Sequence, residues 1–272
     1  MEELSGMVKA AAIRRGKNLS VLNSMSVKIE KLNYRYDNDG EFQLKIDELT
    51  HEFNGPLGLY GLSGSGKTTF SRLMAGVISP VSGNIKFETE SRKRHPKIVY
   101  SPQFPENILL GIRIEDMIQR IVMESGRTDL YGSIRNYLGK FSLDYNVIKG
   151  KNGYELSGGE LRRLAIALSL SLSPDLLILD EPTIGLGFQG KQQLFTILEE
   201  IRKSSHVMIV SHDFRLIRKI CRNFWILHCG RLIFNGDWEA LRKNEKIRKV
   251  VGIDILSHFL TQYFESKEQI DR

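Results

Sequence analysis

GLSGSGKTTF, residues 61–70, stands between a short apolar run at residues 58–60 and a helix-like stretch at residues 71–77. It matches G-x-x-x-x-G-K-[ST] in the strand, loop and helix context that this pattern requires. Glycines at 61, 64 and 66 let the chain turn so that successive N–H groups face phosphate oxygens, and the following helix adds the positive end of its dipole. Lys67 is placed to reach β- and γ-phosphates, and Thr68 to put its hydroxyl on Mg²⁺. The competing reading is a glycine-rich turn with an incidental lysine. At average residue usage the pattern arises by chance in about one chain of this length in a hundred.

Working outward, residues 98–100, 176–179 and 207–210 repeat the apolar character of residues 58–60. Such runs are the mark of parallel strands buried on both faces. An α/β domain with a mostly parallel sheet is the expected fold. Upstream, VKIEKL at 27–32 and FQLKI at 42–46 alternate apolar and polar residues, which predicts half-buried strands of an antiparallel layer. Between residues 105 and 154 the β-rich runs stop, and Ile114, Met117, Ile118 and Ile121 at helical spacing predict a small helical insertion. Residues 224–228 and 231–234 flank Cys229-Gly230 as a hairpin would. A helical tail follows, with Ile253, Leu256, Phe259, Leu260 and Tyr263 as its apolar stripe.

With 272 residues the chain can bury a full core. Its apolar stretches are too short or too interrupted by serine for a membrane span, which needs about 20 residues. Residues 1–26 lack the apolar centre of a secretory signal and read as a non-secreted extension. The two cysteines, Cys221 and Cys229, have no zinc-type neighbours and are expected to be buried, reduced thiols of a cytoplasmic protein. The net charge of +7 is concentrated in Arg92, Lys93, Arg94 and Lys97, and in Arg242, Lys243, Lys246, Arg248 and Lys249. No aromatics of the base-stacking kind are interleaved, so solvated faces are expected and no nucleic-acid partner.

Two further stretches narrow the chemistry. LLILDEP, residues 176–182, is a buried run ending in two adjacent carboxylates. In a P-loop protein the first, Asp180, suits the metal, and the second, Glu181, can orient and deprotonate an attacking water. LSGGELRRLAIALSL, residues 156–170, opens an amphipathic helix with two glycines after a serine, which makes a second anion-binding helix start. One nucleotide does not need two cradles from the same subunit, but two subunits arranged head to tail do.

On these motifs the sequence resembles the ATP-binding subunits of ABC transporters, over residues 27–241. The motifs stand in the family's order: Tyr36 in LNYRY as the adenine-stacking aromatic, with Tyr34 as the alternative; the loop of Gly61, Ser63, Gly64, Ser65, Gly66, Lys67, Thr68 and Thr69; Gln103 in YSPQFPE; Ser157, Gly158 and Gly159 of the signature; Asp180 and Glu181; and His212 in IVSHD. The resemblance implies a P-loop ABC ATPase fold with an antiparallel β layer and a helical subdomain at about residues 105–160, followed by a tail at 242–272. It implies ATP and Mg²⁺ as ligands, with Thr68, Asp180 and Gln103 at the metal. Glu181, His212 and Gln103 are then the catalytic residues. Two subunits sandwich two nucleotides, each between one chain's Lys67 loop and the other's Ser157-Gly158-Gly159.

QFPENILL, and EPTIGL followed by QGKQQL, resemble the energy-coupling factor (ECF) ATPases within this family. Those work at the cytoplasmic face of the membrane with a second ATPase, a transmembrane coupling subunit and a membrane substrate-binding subunit for vitamins or metal ions. A soluble ABC ATPase acting on ribosomes or DNA, and a degenerate regulatory subunit, are the alternatives. One position departs from the family. E-P-T-x-G-L-D usually ends in aspartate, and here Gly187 takes its place. Either a turn tolerates glycine there, or the chain is one half of an asymmetric heterodimer.

Overall fold

A computed structural model describes residues 22–36, 42–90, 95–105, 109 and 111–253. Residues 1–21 of the extension, Arg92, Lys93 and Arg94, Glu106 to Ile108 of the QFPENILL segment, and Leu256, Phe259, Leu260 and Tyr263 of the tail stripe lie outside the described residues. Nine strands form one sheet: β1 (Met25–Arg35), β2 (Gln43–Glu52), β3 (Leu57–Tyr60), β4 (Ser82–Thr89), β5 (Ile98–Ser101), β6 (Leu176–Asp180), β7 (His206–Ser211), β8 (Asn223–His228) and β9 (Arg231–Asp237). Their order is β4-β1-β2-β9-β8-β3-β7-β6-β5. The block from β8 to β5 is parallel, and β1 pairs antiparallel with β2 and β4.

The two predicted strand types are both present, for the predicted reason. Along β6, Leu177 and Leu179 enter the core on one face of the sheet, while Leu176 and Ile178 enter the core on the other. A strand buried on both faces must be apolar at every position. β1 and β2 instead alternate, with Val27, Ile29, Leu44 and Ile46 inside. The hairpin of β8 and β9 forms as predicted. β4 was not among the predicted strands, although NIKFET carries an alternation that β1 uses by pairing Ile85 with Ile29 and Phe87 with Val27.

Helices flank this sheet. α1 (Lys67–Met74) leaves the P-loop; α2 (Ile114–Ser125), α3 (Leu130–Lys140) and α4 (Tyr145–Ile148) fill the predicted helical insertion; α5 (Gly158–Ser171) returns to β6. α6 (Phe188–Ile201), α7 (Phe214–Ile220), α8 (Trp238–Lys243) and α9 (Glu245–Val250) complete the described elements. α1 packs on the face that also holds the β1–β2 core, whereas Ile114, Ile118, Ile134 and Leu138 share the opposite core with Leu164, Leu177 and Ile209.

Three expectations need correction. α5 is not amphipathic: beyond Leu161 nearly every residue is buried, because the helix lies between α3 and the β5–β6 edge and has no solvent face after its first turn. Cys221 is buried, with burial pushing its thiol pKa up, but Cys229 is exposed. It occupies the β8–β9 turn with φ of 45°, and a two-residue turn projects its side chain out of the sheet. Lys97 is no solvated charge, since its ammonium donates to the Leu172 carbonyl at 2.6 Å and closes the C-terminal end of α5. No helix among the described residues is long and apolar enough to cross a membrane.

Candidate functional site

The loop between β3 and α1 is shaped by glycine at two places. Gly66 is the N-cap of α1 with φ of 99°, a left-handed conformation that other residues rarely hold. At Gly61 a Cβ would run into the Leu227 carbonyl oxygen and Ser65 Oγ, so only glycine lets β8 approach. The β8–β9 turn braces the loop from outside, the Gly230 N–H donating to the Ser65 carbonyl at 3.0 Å.

Within the loop, Lys67 is buried and its ammonium donates to the carbonyls of Gly61 at 2.7 Å and Leu62 at 3.1 Å. Burial lowers its pKa, and the charges of Glu181 and Asp180 act in the opposite direction. Ser65 Oγ is buried without a hydrogen-bond partner. An unpaired buried hydroxyl costs free energy unless something fills the site. Thr69 meets Tyr36 at 3.1 Å between hydroxyls, and the Tyr36 ring stands edge-on to Tyr34 with centroids 5.0 Å apart. Of the two tyrosines, Tyr36 reaches the loop, and Tyr34 packs on the β-layer core.

Asp180 ends β6 and is 1% exposed. Tyr100 of β5 donates its hydroxyl to Oδ2 at 2.9 Å, while Oδ1 has no hydrogen-bond partner. Burial raises the Asp180 pKa, Thr68 and Tyr100 lower it by hydrogen bonding, and the neighbouring Glu181 raises it again. The orphaned Oδ1, the Thr68 hydroxyl close to the carboxyl group and the carboxylate's charge suit a hard cation that takes oxygen ligands. Mg²⁺ is typically held by one or two carboxylates plus phosphate oxygens and water. No cluster of three His, Cys, Asp or Glu side chains able to cage a metal occurs among the described residues. The donor set therefore fits Mg²⁺ brought with phosphates.

Glu181 follows with φ of 47°, a left-handed backbone for a non-glycine residue that costs on the order of 1–3 kcal/mol. The turn aims its carboxylate back under β7. Ser211 donates to Oε2 at 2.8 Å, and Oε1 accepts from the His212 N–H at 2.8 Å and from His212 Nδ1 at 2.6 Å. An ionised carboxylate has no hydrogen to give, so Nδ1 carries the proton and Nε2 remains available on a ring whose side chain is 54% exposed.

The structure thus brings Tyr36, Lys67, Thr68, Thr69, Asp180, Glu181 and His212 into one connected group. Gln103 follows β5, its backbone carbonyl accepting from Arg162 of α5. Ser157, Gly158 and Gly159 keep different company. Ser157 caps α5 through a reciprocal box with Glu160, and Gly159 lies against the Gly185 carbonyl. The Glu160 carboxylate is held below the usual range by the Ser157 hydroxyl and backbone.

Sequence reasoning had passed over Tyr100, Ser211 and Arg162. Tyr100 carries a signal, because a tyrosine inside a fully buried strand must find a partner for its hydroxyl. Gly187 is the N-cap of α6 with φ of −65° and ψ of 177°, and a Cβ there would meet nothing within 4 Å. The backbone does not require glycine at this position.

Comparison with known proteins agrees in family and fold. Residues 44–184 match the family model described as ABC transporter. The chain is 30% identical over 250 residues, 85% of its length and 86% of the relative's, to the Energy-coupling factor transporter ATP-binding protein EcfA2 of Clostridioides difficile. It is 32% identical over 184 residues, 65% and 68% of the two chains, to the EcfA2 of Thermotoga maritima. Among solved structures, the ATP binding subunit of an ABC transporter superposes with a TM-score of 0.68 at 22% identity, covering 86% of this chain and 99% of that one. Clostridium perfringens cbiO1, described as part of the ABC transporter complex cbiONQ, gives 0.63 at 26% identity, covering 86% and 98%.

Proposed function

This chain belongs to the ABC transporter family, and from that premise we propose that it is the ATP-hydrolysing subunit that energises an ECF-type importer of a vitamin or a metal ion. The observation that carries the reading is the paired arrangement at the end of β6. Asp180 is buried with one carboxylate oxygen free of hydrogen bonds, and Glu181 is locked onto Ser211 and His212 one residue later.

Each residue then has a task. Tyr36 stacks on the adenine. Gly61, Ser63, Gly64, Ser65 and Gly66 present N–H and hydroxyl donors to the phosphates, and Lys67 exchanges the Gly61 and Leu62 carbonyls for β- and γ-phosphate oxygens. That exchange replaces two neutral acceptors by charged ones, which are roughly twice as strong. Thr68, Asp180 and Gln103 would hold Mg²⁺, which would supply positive charge against the phosphates. At Glu181, Oε1 already accepts two hydrogen bonds and Oε2 only one, so the remaining lone pair of Oε2 takes the proton of the attacking water. His212 keeps the carboxylate in place through Nδ1 and offers Nε2 to the γ-phosphate side.

The organisation proposed for the chain is an ATPase domain at residues 27–241, containing a helical subdomain at about 105–160, with an extension at 1–26 and a tail at 242–272. Its partners are a second ABC subunit, a transmembrane coupling subunit and a membrane substrate-binding subunit, at the cytoplasmic face of the membrane. Ser157, Gly158 and Gly159 close the second subunit's nucleotide site. The names of the relatives support the ECF assignment, since EcfA2 is named an energy-coupling factor transporter ATP-binding protein, and cbiO1 is described as part of an ABC transporter complex.

Affinity purification from membranes of the native source tests the proposal. The expected result is co-purification with a different ATP-binding chain and two integral membrane proteins, with ATP hydrolysis sustained in that complex. Recovery as a homodimer alone, stimulated by DNA or ribosomes, would overturn it.

A further inference from the structure

Arg162 is 4% exposed in α5, five residues beyond Ser157. A guanidinium stays charged at any physiological pH, and burying it is costly unless its N–H groups find acceptors. Here Nη1 donates to the Pro102 carbonyl at 2.8 Å and Nη2 donates to the Gln103 carbonyl. Two residues upstream of Pro102, Tyr100 holds Asp180 through its hydroxyl. Within four residues the chain is therefore tied to the metal-side carboxylate at one end and to the signature helix at the other.

We propose that Arg162 is a positioning residue for the ATPase reaction. Its planar fork fixes the Pro102-Gln103 backbone as a stiff continuation of β5, and so holds the point from which the proposed metal contact of Gln103 is made. Because the fork springs from α5, the Gln103 loop moves together with the Ser157 helix start. A nucleotide that reorients Gln103 thus pulls on the surface offered to the second subunit. A lysine keeps the charge but has no fixed fork, and it cannot hold two successive carbonyls in one geometry. This inference rests on the ATPase reading and adds a residue that touches neither nucleotide nor metal.

The test is a double-mutant cycle on the full chain in its native complex, with Arg162→Lys, Gln103→Ala and the two combined. Misplacing a reacting group by about 1 Å costs on the order of 100-fold in rate, so Arg162→Lys is expected to lower kcat about 10- to 100-fold. If Arg162 acts through Gln103, the double variant is no slower than the slower single variant. Binding of a fluorescent ATP analogue gives a readout apart from turnover: affinity without Mg²⁺ is unchanged in Arg162→Lys, and the strengthening that Mg²⁺ brings is reduced. Losses that multiply in the double variant, or wild-type turnover in Arg162→Lys, overturn the inference and leave the ATPase reading standing. Full turnover in Gln103→Ala removes both the inference and the role given to Gln103. Should Arg162→Lys fail to fold, Arg162→Gln, which keeps a donor for one carbonyl, goes through the same cycle and is judged by the same outcomes.

Discussion

The chain contains two glycine-bearing helix starts, at α1 and at α5, and they differ in what lies around them. At α1 the fold has finished the cradle. Lys67 and Ser65 are buried, Asp180 and Glu181 stand behind them, and the β8–β9 turn clamps the loop from outside. At α5, Ser157 and Gly158 are exposed, and the helix start is satisfied by its own residues, with the Glu160 carboxylate on the Ser157 hydroxyl at 2.7 Å. An anion arriving at α1 meets donors and a cation already in place. One arriving at α5 has to displace a carboxylate that the helix dipole favours. The first helix start is enclosed by this chain's own residues, and the second is the one to which we propose that the partner subunit brings its nucleotide.

The sharpest way to break this contrast is at Glu181, on the finished side. Glutamine can still accept from His212 through its one oxygen, and its amide can donate to the Ser211 hydroxyl, but it cannot take a proton from water. Loss of a general base costs about 10²- to 10⁴-fold. Glu181→Gln should abolish turnover at the site built on this chain's own loop while ATP still drives the two subunits together. Steady-state hydrolysis measured in a complex with the partner's site disabled decides the matter: unchanged turnover would remove Glu181 from its role.

Asp180 comes next in size, and it tests whether the finished side is held ready at a cost. Burial raises its pKa, so the folded protein binds the Asp180 proton more readily than the unfolded chain does. The sign follows from linkage. The contribution to stability is fully present below the unfolded value, near 3.8, and is lost as pH rises through the raised folded value. Above that folded value the ionised carboxylate strains the nucleotide-free protein. Asp180→Asn should raise the thermal midpoint of the nucleotide-free chain at pH 7, by about 2–4 °C for each kcal/mol recovered. The same variant should lose the Mg²⁺-dependent strengthening of ATP binding. A lowered midpoint would show that the carboxylate supports the fold instead.

How much of this was readable in advance also divides along the same line. The P-loop, the Asp180-Glu181 pair and the doubly buried strands could be read because their reasons are local: glycine where the backbone turns, apolar residues where both faces are covered. Ser211 and Arg162 could not, since their partners are 30 and 60 residues away in the chain, and the buried hydroxyl of Tyr100 signals a need for a partner without naming one 80 residues away. α5 misled because helix period says which residues share a face but not how many faces a neighbouring helix and sheet will cover. Cys229 misled because composition alone places cysteine inside, whereas a hairpin turn places it outside. β4 was legible in NIKFET and was passed over between a helix and a charged loop.

The smallest effect is expected at Gly187, on the unfinished side, and it asks whether that side is incomplete by necessity. The position is an ordinary N-cap: φ is −65°, no side chain caps α6, and a Cβ there meets nothing. Glycine is thus not imposed by the turn, in contrast to Gly185 two residues earlier with φ of 75°. Gly187→Asp should fold normally and accept a hydrogen bond from the first turn of α6. Asp in place of Gly at an N-cap stabilises by only a few tenths of a kcal/mol, which shifts the thermal midpoint by about 1 °C or less. Its effect on hydrolysis is expected at the partner's loop, because we propose that residues 185–190 cross the subunit interface toward it. One charged hydrogen bond is worth about 1.5–3 kcal/mol, or roughly 10- to 150-fold in rate there. Combining Gly187→Asp with Glu181→Gln isolates that site, because only the partner's site then turns over. A change that persists in the combined variant places Gly187 across the interface, and a change that vanishes with Glu181→Gln would place it beside this chain's own carboxylates.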